Sequence, residues 1–282
     1  MSDSALEGYL STWRDADPQR ACAWRFLRRG ERVRFGALAA LVQEWWKTLH
    51  DVQEPQVAAV KLAWWREELQ RAAEGDARHP LTQALFAEGR VREVPLSCWT
   101  AVVDAALLAI EAPPCADVDA QRRAAAPLAD AIAGLETRVW FGGGAERSRA
   151  AAVVALANLV AGARALAVEV GHGRTPLPMN LLARHGLTVE ALGVDGSERR
   201  AALRDYARTL RGALGDVATM PGPLTLFRAI ALHHDLRSLD RATRADDPLQ
   251  ALCAPDSGFG NLLQTWREAR IWRGVSHTKA NS

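Results

Sequence analysis

The sequence predicts an all-α protein. Strand signals are nearly absent: the chain has two tyrosines, few isoleucines and no run of β-branched residues alternating with period two. Ala, Leu, Arg and Glu, which sit well in helices, dominate almost every segment. Apolar residues recur at helical spacing in Ala58, Leu62, Trp65 and Leu69, in Leu203, Ala207, Leu210 and Leu214, and in Leu226, Ile230, His233 and Leu236. Each set gives one apolar stripe.

Proline and glycine mark the element boundaries. Asp17-Pro18 and Glu54-Pro55 are two such breaks. Gly30, Gly75 to Pro80, Gly89 to Pro95 and Pro113-Pro114 divide the first half further, and Gly142 to Gly144 reads as a turn that ends a helix. Gly171 to Pro178, Gly193 to Gly196, Pro221 to Pro223 and Pro248 to Gly260 divide the second half. These breaks delimit about ten helices. None has the Ser/Gly-rich or charged low-complexity character of a linker, so residues 1–275 are expected to form one domain, followed by a polar tail over 276–282. No repeat with a period of about 20 to 50 residues appears, which argues against a solenoid.

Composition excludes several classes of function. The 282 residues suffice for one large core without staples. The four cysteines, Cys22, Cys98, Cys115 and Cys253, stand far apart with no CxxC pair, which is the pattern of scattered thiols in a reducing compartment. The N-terminal residues carry acids where a secretory signal has basic residues, and no apolar run reaches the roughly 20 residues of a membrane span. A cytoplasmic location follows as the expectation. Thirty-five basic residues balance 33 acidic ones, for a net charge of +2, which gives no field for gathering nucleic acid. Basic residues do thicken locally at Arg25, Arg28, Arg29, Arg32 and Arg34; that cluster suits a diphosphate, an anionic lipid surface or solvent.

Ten tryptophans are an unusual number, and four form the adjacent pairs Trp45-Trp46 and Trp64-Trp65. Neighbours on a helix point about 100° apart, so one of each pair can enter the core while the other meets a cavity or helix interface. Bulk packing and an apolar tunnel lined with tryptophan both fit. The segment RALAVEVGHGRTPLP, Arg164 to Pro178, has the outline of a metal-binding catalytic segment: an apolar helix, a glycine exit at Gly171 and Gly173, an arginine and a Leu-Pro pair. Ligands at i and i+4 would share a helix face, but those positions are Ala165 and Glu169, and only one is a carboxylate. His172 lies between the two glycines beside Arg174, as either an anion contact or an exposed loop residue. The His233-His234-Asp235 run diverges around a helix and cannot grip one ion together. No Walker phosphate loop and no GxSxG elbow occurs.

Three places resemble the squalene/phytoene synthase family, the head-to-head prenyl transferases, over most of the chain. Phe26-Leu27 with Ala37-Leu38-Ala39-Ala40-Leu41 is similar to the family's opening helix pair, which leads into LYAFCRxxDDIVDE. KLAWWREEL, Lys61 to Leu69, is similar to the next helix. RALAVEVGHGRTPLP is similar to RDVxEDxxxGRxYLP, with a further helix from Met179 to about His185-Gly186-Leu187. The resemblance implies a helical domain of the isoprenoid synthase type around a central cavity. In the family, two aspartate-rich motifs on facing helices bind magnesium, which neutralises the diphosphate that leaves an allylic cation.

Against that pattern, Trp46 and His50 stand where the first motif has its outer aspartates, and Lys47 replaces another. In the second motif Ala165 replaces the first aspartate and Glu169 the last, while Asn158 replaces an earlier glutamine. Arg164, Gly173, Arg174, Leu177 and Pro178 match the family. Glu44, His50, Asp51 and Glu54 offer no acidic pair at i, i+4 to replace the lost ligands. The resemblance therefore implies substrate contacts at Arg164, Glu169, Arg174 and Asn158 and a cavity lined by Trp46, His50 and Trp65, with no metal ligands and no catalytic residue assigned. Loss of these carboxylates favours a member without magnesium-dependent prenyl transfer and without a cofactor, which binds an isoprenoid diphosphate, isoprenoid or lipid. KLAWWREEL followed by His79-Pro80-Leu81 is similar to the branch of the family that assists respiratory complex I assembly. Association with that complex or with the inner face of a membrane is the corresponding expectation. The alternative is an active transferase that condenses two prenyl diphosphates with Mg²⁺.

Overall fold

A computed structural model describes residues 2–110, 112–142, 145–256 and 258–278. Among these residues the chain forms fifteen α-helices and one 3₁₀ turn, with no strand. In order they are α1 (Ser2–Asp15), α2 (Pro18–Arg25), α3 (Arg29–His50), α4 (Pro55–Ala73), α5 (Pro80–Phe86), α6 (Gly89–Arg92), α7 (Leu96–Ala109) and α8 (Val118–Phe141). The second half holds α9 (Ser148–Arg164), α10 (Leu166–Gly171), α11 (Met179–Arg184), the 3₁₀ turn Glu190–Gly193, α12 (Ser197–Thr219), α13 (Leu226–Arg244), α14 (Pro248–Cys253) and α15 (Gly258–Thr278).

The excess over about ten helices comes from short pieces such as α5, α6 and α14, which lie in segments dense with breakers. Gly30 does not break the chain; it sits in the first turn of α3, a position that tolerates any residue with helical backbone angles. Gly143, Gly144 and Ser257, inside two of the expected breaks, lie outside the described residues, as does the end of the expected tail, 279–282. Helix α15 runs to Thr278, beyond the expected tail boundary.

Local chemistry sets the helix starts. Asp17 accepts from the backbone N–H of Gln19 ahead of Pro18, and Asp117, Thr225 and Asp247 cap α8, α13 and α14 in the same way. The turn after α4 is held by a carboxylate inside the protein. Glu68, fully buried, accepts from the backbone N–H groups of Arg78 and His79, both at 2.8 Å, from the Thr82 hydroxyl at 2.6 Å and from Arg71. Burial pushes its pKa up, but these donors outweigh it and keep the carboxyl below the usual range.

The apolar faces make two adjoining cores. The first gathers α1 to α8 with the end of α15, and includes Trp45, Trp99, Phe35 and Trp140. The second gathers α9 to α14 around Leu156, Leu203, Tyr206, Leu210 and Leu239. Helices α9 and α13 contribute to both, through Val154 and Ile230 on one side and Val160 and Leu239 on the other. The stripes of α4 and α12 are buried as expected. The stripe of α13 is half kept: Leu226 and Ile230 are buried as expected, but farther along Leu232, Asp235 and Leu239 are buried while His233 and Leu236 are half-exposed. Asp235 on this inward face pairs with Arg164, as described below.

Candidate functional site

A cavity of about 510 Å³ opens where α1, α2, α3, α9 and α13 converge, closed by the segment after α14. Such a volume is in the range of small-molecule sites. Its apolar wall includes Trp13, Val42, Trp46, Phe227 and Ile230; its polar wall includes Arg20, Gln43, His50, Asn158 and Arg164. The first tryptophan pair divides as its helical geometry requires, with Trp45 in the core and Trp46 on the cavity. The second pair does not reach it. Trp65 is buried in the core, 6.5 Å from Trp45 and 4.8 Å from His79 by ring centroids, and Trp64 is on the surface. The expectation that Trp65 lines the cavity is thus corrected: α4 packs behind α3 and α5, one layer away.

The C-terminal end of α3 meets α9 and α10 directly. His50 Nδ1 lies 3.0 Å from Glu169 Oε1, and His50 Nε2 lies 3.2 Å from Asn158 Oδ1. Trp46, one turn earlier, stacks on the His50 ring with centroids 5.6 Å apart. Arg174 donates from Nε to Glu169 Oε2 at 2.7 Å and from Nη2 and Nη1 to the backbone carbonyls of His50 and Leu49. Its guanidinium therefore caps α3, where unpaired carbonyls favour a cation. His172 Nδ1 faces the same guanidinium at 3.0 Å rather than an open anion site. Burial raises the pKa of Glu169, yet the bonds from His50 and Arg174 outweigh it and hold the carboxyl below its usual range.

Arg164 is also satisfied within the protein. It pairs with Asp235 Oδ1 at 2.7 Å, donates to Ser238 Oγ at 2.6 Å and reaches the Leu252 carbonyl at 3.0 Å. Burial pushes Asp235 above the usual carboxylate range, and Arg164 offsets only part of that rise. The helix break at Ala165 separates Arg164 from Glu169 and aims them in different directions: α9 ends there with ψ of 17° and α10 begins. Of the expected substrate contacts, Asn158 and Glu169 are both bonded to His50, which was expected on the cavity wall, and Arg174 seals the group. Arg164 belongs to a second cluster, and neither Glu169 nor Arg174 lines the cavity.

Several cavity residues carried no functional expectation. Arg228 binds buried Glu136 through two bonds of 2.9 and 2.6 Å and is itself half-buried. Asp256 takes His234, Arg237 and Arg241, which hold it down to about 2 against the opposing effect of burial. Arg20 donates to the Trp13 carbonyl and to Gln43 Oε1, with Asp17 no closer than 3.9 Å. Burial draws its guanidinium below the usual value. One signal was available in the sequence, since Arg228 and Asp235 interrupt an otherwise apolar helix face, and charges in such positions are seldom buried without partners. The His233-His234-Asp235 run splits as helical geometry demands, to Glu268, Asp256 and Arg164 respectively.

The donors present do not fit a magnesium site of the kind the resemblance describes. Magnesium needs several oxygen ligands in near-octahedral geometry. At the junction of α3 and α10 the carboxylate Glu169 has one oxygen on His50 and the other on Arg174. Among the described residues no group of three or more His, Cys, Asp or Glu side chains could hold an ion.

An all-helical domain around a cavity bounded by facing helix ends is the isoprenoid synthase type of fold. The chain belongs to the squalene/phytoene synthase family, whose model matches residues 13–251. Among solved structures it is similar to a dehydrosqualene synthase crystallised with a ligand, at 12% identity and a TM-score of 0.72 over 97% of this chain and 98% of that one. It is also similar to the squalene synthase HpnC from Alicyclobacillus acidocaldarius, at 14% identity and a TM-score of 0.55 over 98% of this chain and 95% of that one. A search of curated protein sequences finds no match.

Proposed function

We propose that this member of the family has lost magnesium-dependent prenyl transfer and uses its cavity to bind an isoprenoid or a related lipid. The observation that carries the reading is the bridge from His50 to Glu169. In the family, facing acidic motifs separated by metal ions and diphosphate hold the leaving group. Here a histidine and the remaining carboxylate meet directly, and Arg174 ties both to the end of α3. Ionising an allylic diphosphate requires concentrated positive charge at the departing oxygens. Arg164 and Arg174 are largely neutralised by Asp235 and Glu169, so they serve that purpose poorly.

Binding makes different demands. Trp13, Trp46, Phe227 and Ile230 offer an apolar surface for a hydrocarbon chain, and Arg20 offers a cation whose hydrogen-bond partners are neutral oxygens. A ligand with an apolar body and a polar or anionic end suits that lining. An assembly role like that of the complex I branch is the finer form of the proposal. Its support is the KLAWWREEL segment, whose Glu68 and Trp65 are structural, together with the missing carboxylates.

Turnover tests the reading. Purified protein incubated with farnesyl diphosphate and Mg²⁺ is expected to release no more pyrophosphate than buffer; clear magnesium-dependent release would favour an active transferase and sink the proposal. Organic extraction of protein isolated from its native cells is expected to yield a bound polyisoprenoid, quinone or lipid.

A further inference from the structure

The basic cluster near the start of the chain and the last helix form one surface. Helix α15 buries Asn261, Thr265, Ala269 and Trp272, at i, i+4, i+8 and i+11, against the rest of the protein. The opposite face leaves large apolar side chains in water: Leu262 is 46% exposed, Leu263 53%, Trp266 45% and Ile271 60%. Arg267, Arg270 and Arg273 are interleaved with them, also exposed. The Arg270 guanidinium lies 4.8 Å over the Trp266 ring. Arg273 donates to the Phe26 carbonyl at 2.8 Å, which joins α15 to the α2–α3 corner, where Arg25, Arg28 and Arg29 are exposed.

This face is cationic in a protein whose net charge is only +2. Among the described residues, none of these six arginines is within ion-pairing distance of a carboxylate. The nearby acids are directed elsewhere. Glu268 turns back to His233 and Gln264, and Glu31 accepts from the Arg28 backbone N–H.

We propose that the outer face of α15 and the α2–α3 corner together dock the protein on an anionic lipid bilayer. Guanidinium groups match phosphate headgroups, and leucine, isoleucine and tryptophan beside them match the boundary between headgroups and acyl chains. Cations and apolar groups on the same helix face meet both demands together, whereas an aqueous setting satisfies only the arginines. No described helix is long and apolar enough to cross a membrane, so the attachment is to one leaflet. The inference does not depend on the cavity ligand.

Sedimentation of the full chain with phospholipid vesicles tests it. Mixed phosphatidylcholine/phosphatidylglycerol vesicles are expected to carry the protein down several-fold more than pure phosphatidylcholine, with the difference lost in high salt. Leu263→Ser with Trp266→Ser is expected to weaken partition at least about tenfold, because the two side chains are only about half exposed and a part of each apolar surface returns to water. Arg25→Gln, Arg28→Gln and Arg29→Gln together are expected to remove the preference for anionic vesicles. All these side chains are exposed, so unchanged circular dichroism and melting serve as the folding control. Failure to bind either vesicle, equal binding to both, or wild-type partition by both variants overturns the proposal. So does a dimer, seen by light scattering and broken by the Leu263/Trp266 variant, in a protein that ignores vesicles.

Discussion

Arg164 shows how much a single contact decides. In the sequence it is an arginine kept at a family position; in the fold it neutralises Asp235, which burial makes costly to keep charged. Removing one partner of such a pair strands the other, at about 3 to 5 kcal/mol. Arg164→Ala is therefore expected to lower the melting temperature by about 10 °C, while Arg164→Met with Asp235→Leu should lose clearly less. Equal losses in calorimetry would show that the pair is not coupled. Glu169 gives a pH prediction. Its folded pKa lies below the unfolded value of about 4.3, so its stabilising contribution is complete above that value and fades as pH falls through the folded one. The melting difference between wild type and Glu169→Gln should thus shrink below about pH 4.3. A difference that stays constant into strong acid would mean that the bonds to His50 and Arg174 contribute nothing.

Close helix packing sets the constraints at the next scale. Gly36 of α3 faces Trp24 of α2 and Leu10 of α1, and a Cβ there would overlap the Trp24 ring and come within 3.2 Å of Leu10. Alanine gains about 1 kcal/mol of helix propensity, against an overpacking cost of about 1 to 3 kcal/mol. The rigid ring cannot move its tip aside cheaply, so the cost should prevail and Gly36→Ala should melt lower than wild type by a few degrees. A higher melting point would show that α2 shifts freely. Helix boundaries such as Asp17-Pro18 and Glu54-Pro55 were legible because their causes lie within a few residues. The break at Ala165 was not. No glycine or proline marks it, and the bonds of Arg164 and Glu169 on either side come from α13, α3 and the loop at Arg174.

Across the whole molecule, α9 and α13 tie the two cores together. Tryptophan occurs in the first core and not in the second. Tryptophan-selective fluorescence therefore follows the first core during unfolding, whereas far-UV circular dichroism follows both. Because the shared helices cannot leave one core without exposing the other, the two probes should give coincident denaturation curves. Separated transitions would show that the cores unfold independently.

The sequence by itself determined the helical class, the single run of helices without linkers, the family resemblance and the absence of paired carboxylates at the two motif positions. Each of these depends on residue type or on spacing within one helix. Only the tertiary structure decided that His50, Asn158 and Glu169 share hydrogen bonds, that Arg164 and Arg174 already have protein partners, that Trp65 is core, and that the arginines beside α2 and α15 form one face. Those facts join residues up to 247 positions apart, as Arg273 and Phe26 are, and no local periodicity records which distant surfaces the packing of two cores brings together.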